Sequence, residues 1–187
     1  MSKIALTPNA SGSGTFTIAA PNSNTDRSLT LPDGAGTLDR LERTGNVLQV
    51  VEGTTSTQVD ITTDTLTDSG LSVSITPTST SSKILVQVSI HTRISRSGDN
   101  ASANMRLLRD STAIVTYSSQ TPKVESQGTG NNFTRWAGFM AFQNLDSPST
   151  TSQITYKVQG AMDVTSLSPQ LSFNVKPSSI IVMEIAG

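Results

Sequence analysis

Cysteine is absent from all 187 residues, and histidine occurs once, at position 91. No disulfide framework, thiolate nucleophile or cysteine-ligated zinc can therefore be built. Aromatic side chains make up 4% of the chain, which leaves few of the stacking platforms that hold single-stranded nucleic acid. An excess of either charge is missing too. The 13 Lys and Arg against 14 Asp and Glu leave a net charge of −1, so no broad field draws the chain to nucleic acid or to an anionic membrane. No run approaches the ~18 apolar residues of a membrane-spanning helix, and the opening MSKIALTPNASGSG lacks the apolar core of a secretory signal. Apolar residues at helical spacing are missing throughout.

What is abundant is Ser and Thr, 55 in all, together with apolar residues that alternate with polar ones. In the stretch Leu71–Ile94, Leu71, Val73 and Ile75 alternate with hydroxyl residues. Beyond a turn-rich linker around Pro77, Ile84, Val86, Val88 and Ile90 alternate with Leu85, Gln87, Ser89 and His91. A side-chain period of two reads as half-buried strands. The same pattern predicts strands over 47–51, 58–61, 71–75, 83–94, 103–108, 113–117, 133–143, 153–162, 171–175 and 179–185. So many short strands with turn signals between them predict an all-β protein, a jelly-roll-like antiparallel β-sandwich over 46–187. Residues 1–45 carry too few apolar groups for a core and read as an arm. Its two short strands, Thr15–Ala20 and Ser28–Leu31, form a β-hairpin followed by the Pro32-Asp33-Gly34 turn.

Candidate sites are few. The lone His91 has no Gly-x-Ser-x-Gly elbow to serve and reads as a structural or surface residue. Asp60, Asp64 and Asp68 would lie on one face of an extended strand, roughly 13 Å apart at each step, too far to share an ion. Catalytic, cofactor and metal sites are therefore expected to be absent. Residues 44–82 hold four acids and no Lys or Arg, whereas 83–109 hold five basic residues and one acid. Such segments would pair favourably within or between subunits. Arg93, Arg96, Arg106 and Arg109 would form a basic patch if strands 83–94 and 103–109 made a hairpin, and Arg93 and Arg106 are candidates for an oligomer interface. Around Trp136 the strand is apolar on both faces, Phe133, Ala137, Phe139 and Ala141 on one, Trp136, Met140 and Phe142 on the other. That places Trp136 in the core or at a subunit interface.

The stretch GTFTIAAPNSNTDRSLTLPDGAGTL, Gly14 to Leu38, resembles a segment that recurs in virion proteins of tailed bacteriophages, notably those of marine and cyanobacterial phages. The order and length of the later strands resembles the trimeric jelly-roll modules of phage decoration proteins and fibre heads. These resemblances imply a virion structural protein made in a host cytoplasm, with a capsid decoration (cement) protein as the first reading and a receptor-binding tail or head fibre as the alternative. They imply a homotrimer bound to a major capsid protein or another virion protein, neither an enzyme nor a binder of nucleic acid, membrane or cofactor. Phe16, Ile18, Leu29 and Leu31 would be the arm's anchors.

Overall fold

In the computed structural model, the residues described are 10–15, 17, 19, 22–26, 28, 43–97, 101–117, 123–124, 133–163 and 169–187. The chain divides into two units, Met1–Leu38 and Asp39–Gly187. Among the described residues of the first, none lies in a strand. The expected hairpin and its anchors Phe16, Ile18, Leu29 and Leu31 fall largely or wholly outside the described residues.

The second unit holds eleven strands among its described residues: β1 (Val47–Thr55), β2 (Val59–Ile61), β3 (Thr67–Ile75), β4 (Lys83–Ser97), β5 (Ala101–Arg109), β6 (Thr112–Tyr117), β7 (Lys123–Val124), β8 (Phe133–Asp146), β9 (Ile154–Met162), β10 (Gln170–Phe173) and β11 (Ser178–Ile185). One sheet, sheet A here, runs β1-β11-β4-β8. Short β10 and β2 extend it beside the second half of β4. The other, sheet B, runs β3-β9-β5-β6, with β7 beside the start of β5. Four antiparallel pairs are nested in the chain, β1 with β11, β3 with β9, β4 with β8 and β5 with β6. Nested pairs wound into two facing four-stranded sheets are a jelly roll, so the expected architecture is the one observed.

Alternation builds the core. Ile84, Val86, Val88, Ile90 and Ile94 of β4, with Ile180 and Val182 of β11, project from sheet A onto Leu71, Val73, Ile75, Tyr156, Val158, Met105 and Leu107 of sheet B. Phe173 is fully buried and lies across Gly160, where a Cβ would stand 2.5 Å from the ring's Cζ. Each half-alternating strand thus gives one face to this interior.

Two expectations about partners fail. Strands β4 and β5 do not form a hairpin, because the chain crosses from sheet A to sheet B between them. Arg93 and Arg106 consequently stand on different sheets. The acidic run is not one strand either: Asp60 is on β2, Asp64 in a bend, and Asp68 on β3 of the opposite sheet.

Candidate assembly surface

The inner faces of the two sheets are used up by the core, so the outer faces carry whatever else the molecule does. Strand registers across sheet A align its outward side chains in rows. One row reads Val50, Met183, Leu85, Leu145 from β1 through β11 and β4 to β8. The next reads Glu52, Ile181, Gln87, Gln143, and the row on the other side begins Val47, Ile185, Lys83. Apolar residues thus cross this face from edge to edge. Among the described residues the large hydrophobics most exposed to solvent are Val47, Val50, Phe139 and Leu145, at 50–58%. All four sit on β1 and β8, the edge strands of this sheet, and all four point outward.

The two flanks of the sandwich differ. On the β1/β3 flank the sheets pinch together: a Cβ on Gly53 would fall 2.1 Å from the Ser72 carbonyl oxygen, so only glycine lets β1 cross there. Beside it the carboxylate of Glu184, fully buried, ties three elements. Its Oε2 accepts from Gln49 Nε2 at 2.6 Å, and its Oε1 accepts from the Thr78 backbone N–H and hydroxyl, both at 2.7 Å. Burial pushes its pKa up, but hydrogen bonds, those from Gln49 and Thr78 among them, outweigh this and hold it below its ordinary value.

The β8/β6 flank is open. Trp136, Met140 and Phe142 of β8 and Ile114, Val115 and Tyr117 of β6 are only half-buried against the core. The Tyr117 and Phe142 rings meet at 5.2 Å, and a cleft of about 70 Å³ lies among Met105, Tyr117, Met140, Ala141 and Phe142. Strand β8 pairs with β4 over all 14 residues without a register shift. Among the described residues its other edge has no strand beside it. Its far end is fastened to sheet B through Asp146, which accepts from Arg109 Nη1 at 2.8 Å and from the buried Tyr156 hydroxyl at 2.7 Å. Burial first, then that bond to a carboxylate, drives the Tyr156 pKa far up and keeps the hydroxyl a donor.

The residues singled out from sequence are distributed over these surfaces. Trp136 lies on the inner side of the open flank, half-buried, its ring folded over Gly138. Arg93 points outward from sheet A, with Nη2 donating to Ser172 Oγ at 2.9 Å. Arg106 points outward from sheet B, with Nε and Nη2 both donating to Gln159 Oε1 at 2.8 and 2.6 Å. His91 is 9% exposed on the outer side of sheet A, edge-on to Phe139 with ring centroids 5.0 Å apart. Burial, then the charges of Lys176 and Arg93, lowers its pKa and favours the neutral ring. No group of three or more His, Asp or Glu that could hold a metal occurs among the described residues. Sequence reasoning passed over Val50, Leu85, Leu145 and Met183. The available signal was that each stands at an outward position of its alternation, where Ser, Thr or Gln is the usual occupant in this chain.

No protein-family model matches the chain, and no curated protein matches it. Among solved structures, a chain in the structure of infectious bursal disease virus Gt strain is similar at 11% identity and a TM-score of 0.33, covering 86% of this chain and 42% of that one. The T=1 particles derived from infectious bursal virus give 13% identity, a TM-score of 0.33, and coverage of 86% and 41%. The present chain therefore spans less than half the length of either neighbour.

Proposed function

We propose that this chain is a structural component of a virus particle, a capsid decoration protein that assembles as a homotrimer on the shell. The observation that carries the reading is a complete sandwich core combined with a second apolar face and an open flank on sheet A. A lone soluble domain gains nothing from such surfaces, and large exposed apolar patches mark places where another protein binds. In this reading the work is adhesion. A protein that binds only the assembled shell adds its binding free energy to the shell's stability by mass action. The arm, residues 1–45, resembles phage virion segments in sequence and would attach to a major capsid protein or another virion protein, with Phe16, Ile18, Leu29 and Leu31 as anchors. The chain then catalyses nothing, takes no cofactor or metal, and engages neither nucleic acid nor membrane.

The test is sedimentation of the purified full chain with particles assembled without it. Heads should carry the protein at a fixed stoichiometry and disassemble at a higher temperature than bare heads. A chain lacking residues 2–43 should stay folded by circular dichroism and stop sedimenting with heads. Binding to tails or to host cells in place of heads would overturn decoration in favour of a fibre, and undiminished binding by the truncated chain would move the attachment onto the sandwich.

A further inference from the structure

We infer that copies of this chain join head to tail through the two edges of sheet A, β1 of one copy pairing antiparallel with β8 of the next. This rests on the homo-oligomer part of the reading above and is independent of the virion part. Three observations converge on it. First, both strands expose backbone edges: among the described residues neither has a second strand beside it. Strand β8 also lacks the devices that blunt a free edge, since its sequence FTRWAGFMAFQNLD holds no Pro or Lys and its register holds no bulge.

Second, the polarity fits. Successive strands of β1-β11-β4-β8 are antiparallel, so β1 and β8 run in opposite directions. A copy rotated about an axis along the strands brings its β1 beside β8 in the antiparallel sense. Third, the rows continue. Val50 and Leu145 end the same row, as do Glu52 and Gln143, and Thr54 and Ala141. The joint thus sets apolar against apolar and polar against polar or small, and the apolar row runs on from copy to copy.

The contact is large enough to hold. The nine residues of β1 span about 30 Å, and two stacked sheets with side chains are about 20 Å thick, which gives roughly 600 Å² per copy and about 1,200 Å² per joint. The occupant is a second copy because the matching free edge, in matching rows, is on this chain. Contacts of this head-to-tail kind close into rings when the rotation permits. Trp136, Met140 and Phe142, half-buried at the open flank, would be covered by the neighbour.

The chain has no cysteine, so the joint can be tested with introduced thiols. Within one copy Val50 and Leu145 lie three strand spacings apart, about 14 Å, beyond the reach of a disulfide, whereas at the joint they are cross-strand neighbours. The double variant Val50→Cys with Leu145→Cys, exposed to oxidised glutathione, should give covalent species at multiples of 19.7 kDa. Thr54→Cys with Ala141→Cys should do the same. Each single variant should stay uncross-linked, and all should keep the parent circular dichroism. Cross-linking by a single variant would mean that like strands meet, and would overturn the head-to-tail joint. So would an uncross-linked double variant whose light scattering reports an oligomer. A 19.7 kDa parent at micromolar concentration would overturn both this joint and the homo-oligomer.

Discussion

The outer faces of the two sheets share one fold and have opposite chemistry. On sheet B the outward residues satisfy one another. Ser74 and Thr155 share a hydrogen bond of 2.8 Å, Asp68 accepts from Lys157 at 2.9 Å and from Gln159, and Gln159 in turn accepts from Arg106. Burial raises the Asp68 pKa, yet the bonds from Gln159 and Lys157 leave it below its ordinary value. On sheet A the outward rows hold Val47, Val50, Met183, Leu85, Ile181, Leu145 and Phe139 instead. A sandwich needs one apolar face per sheet, and on its strands sheet B adds to that only Leu108, in register with Lys157. The second apolar face of sheet A adds nothing to the interior, and the proposed assembly rests on it.

That contrast can be broken at three depths. Phe173 belongs to the shared interior, and Phe173→Ala should lower subunit stability by about 3–5 kcal/mol, read from urea unfolding. A loss below about 1 kcal/mol would mean the two sheets are not packed through it. Glu184→Gln acts at the pinched flank and should lower stability at neutral pH by about 2 kcal/mol, the scale of hydrogen bonds to a charged group. Because the folded carboxyl titrates below its ordinary value of 4.5, its contribution is complete above that pH and lost as the pH falls through the lower folded value. The parent should therefore lose stability below about pH 4.5, and the variant should show a shallower acid limb. A parallel decline in both would remove Glu184 from the acid response.

The smallest effects on the subunit, and the most telling, come from the outer faces themselves. Lys157→Ala on sheet B should cost less than about 1 kcal/mol, as exposed ion pairs do, with association unchanged. Leu145→Ser on sheet A should change subunit stability by less than about 0.5 kcal/mol yet weaken association by light scattering. Equal behaviour of the two variants would erase the distinction between the faces.

The strands were legible because period-two alternation is local: the runs at 47–51, 83–94, 133–143 and 179–185 lie within β1, β4, β8 and β11. Their partners were not. Alternation says which side chains share a face and nothing about which distant strand lies alongside, so it cannot decide whether β4 and β5 form the hairpin that a basic patch would need; they belong to different sheets. Strand β3 begins at Thr67, four residues before the apolar run, because Asp68 pairs with Gln159 of β9, a reason visible only across the sheet. Residues 135–146 alternate between exposed and half-buried, as the two apolar faces around Trp136 require. That β8 would be an edge strand, which leaves Trp136 half-buried, depends on sheet order. The apolar row Val50–Leu145 comes from four separate segments and exists only once the registers are set.

The nested pairing also favours an order of events in time. The β5–β6 hairpin closes over the two residues Asp110 and Ser111, whereas β1 must find β11 near the other end of the chain. Loop-closure entropy grows with separation, and topologies dominated by distant pairings fold slowly, in milliseconds to seconds. On that account the pairs zip outward from β5–β6, and β1 docks last. Until then the edge of β11 stands open beside Ile181 and Met183, so the newly made chain is most exposed to wrong partners in the final step of its folding.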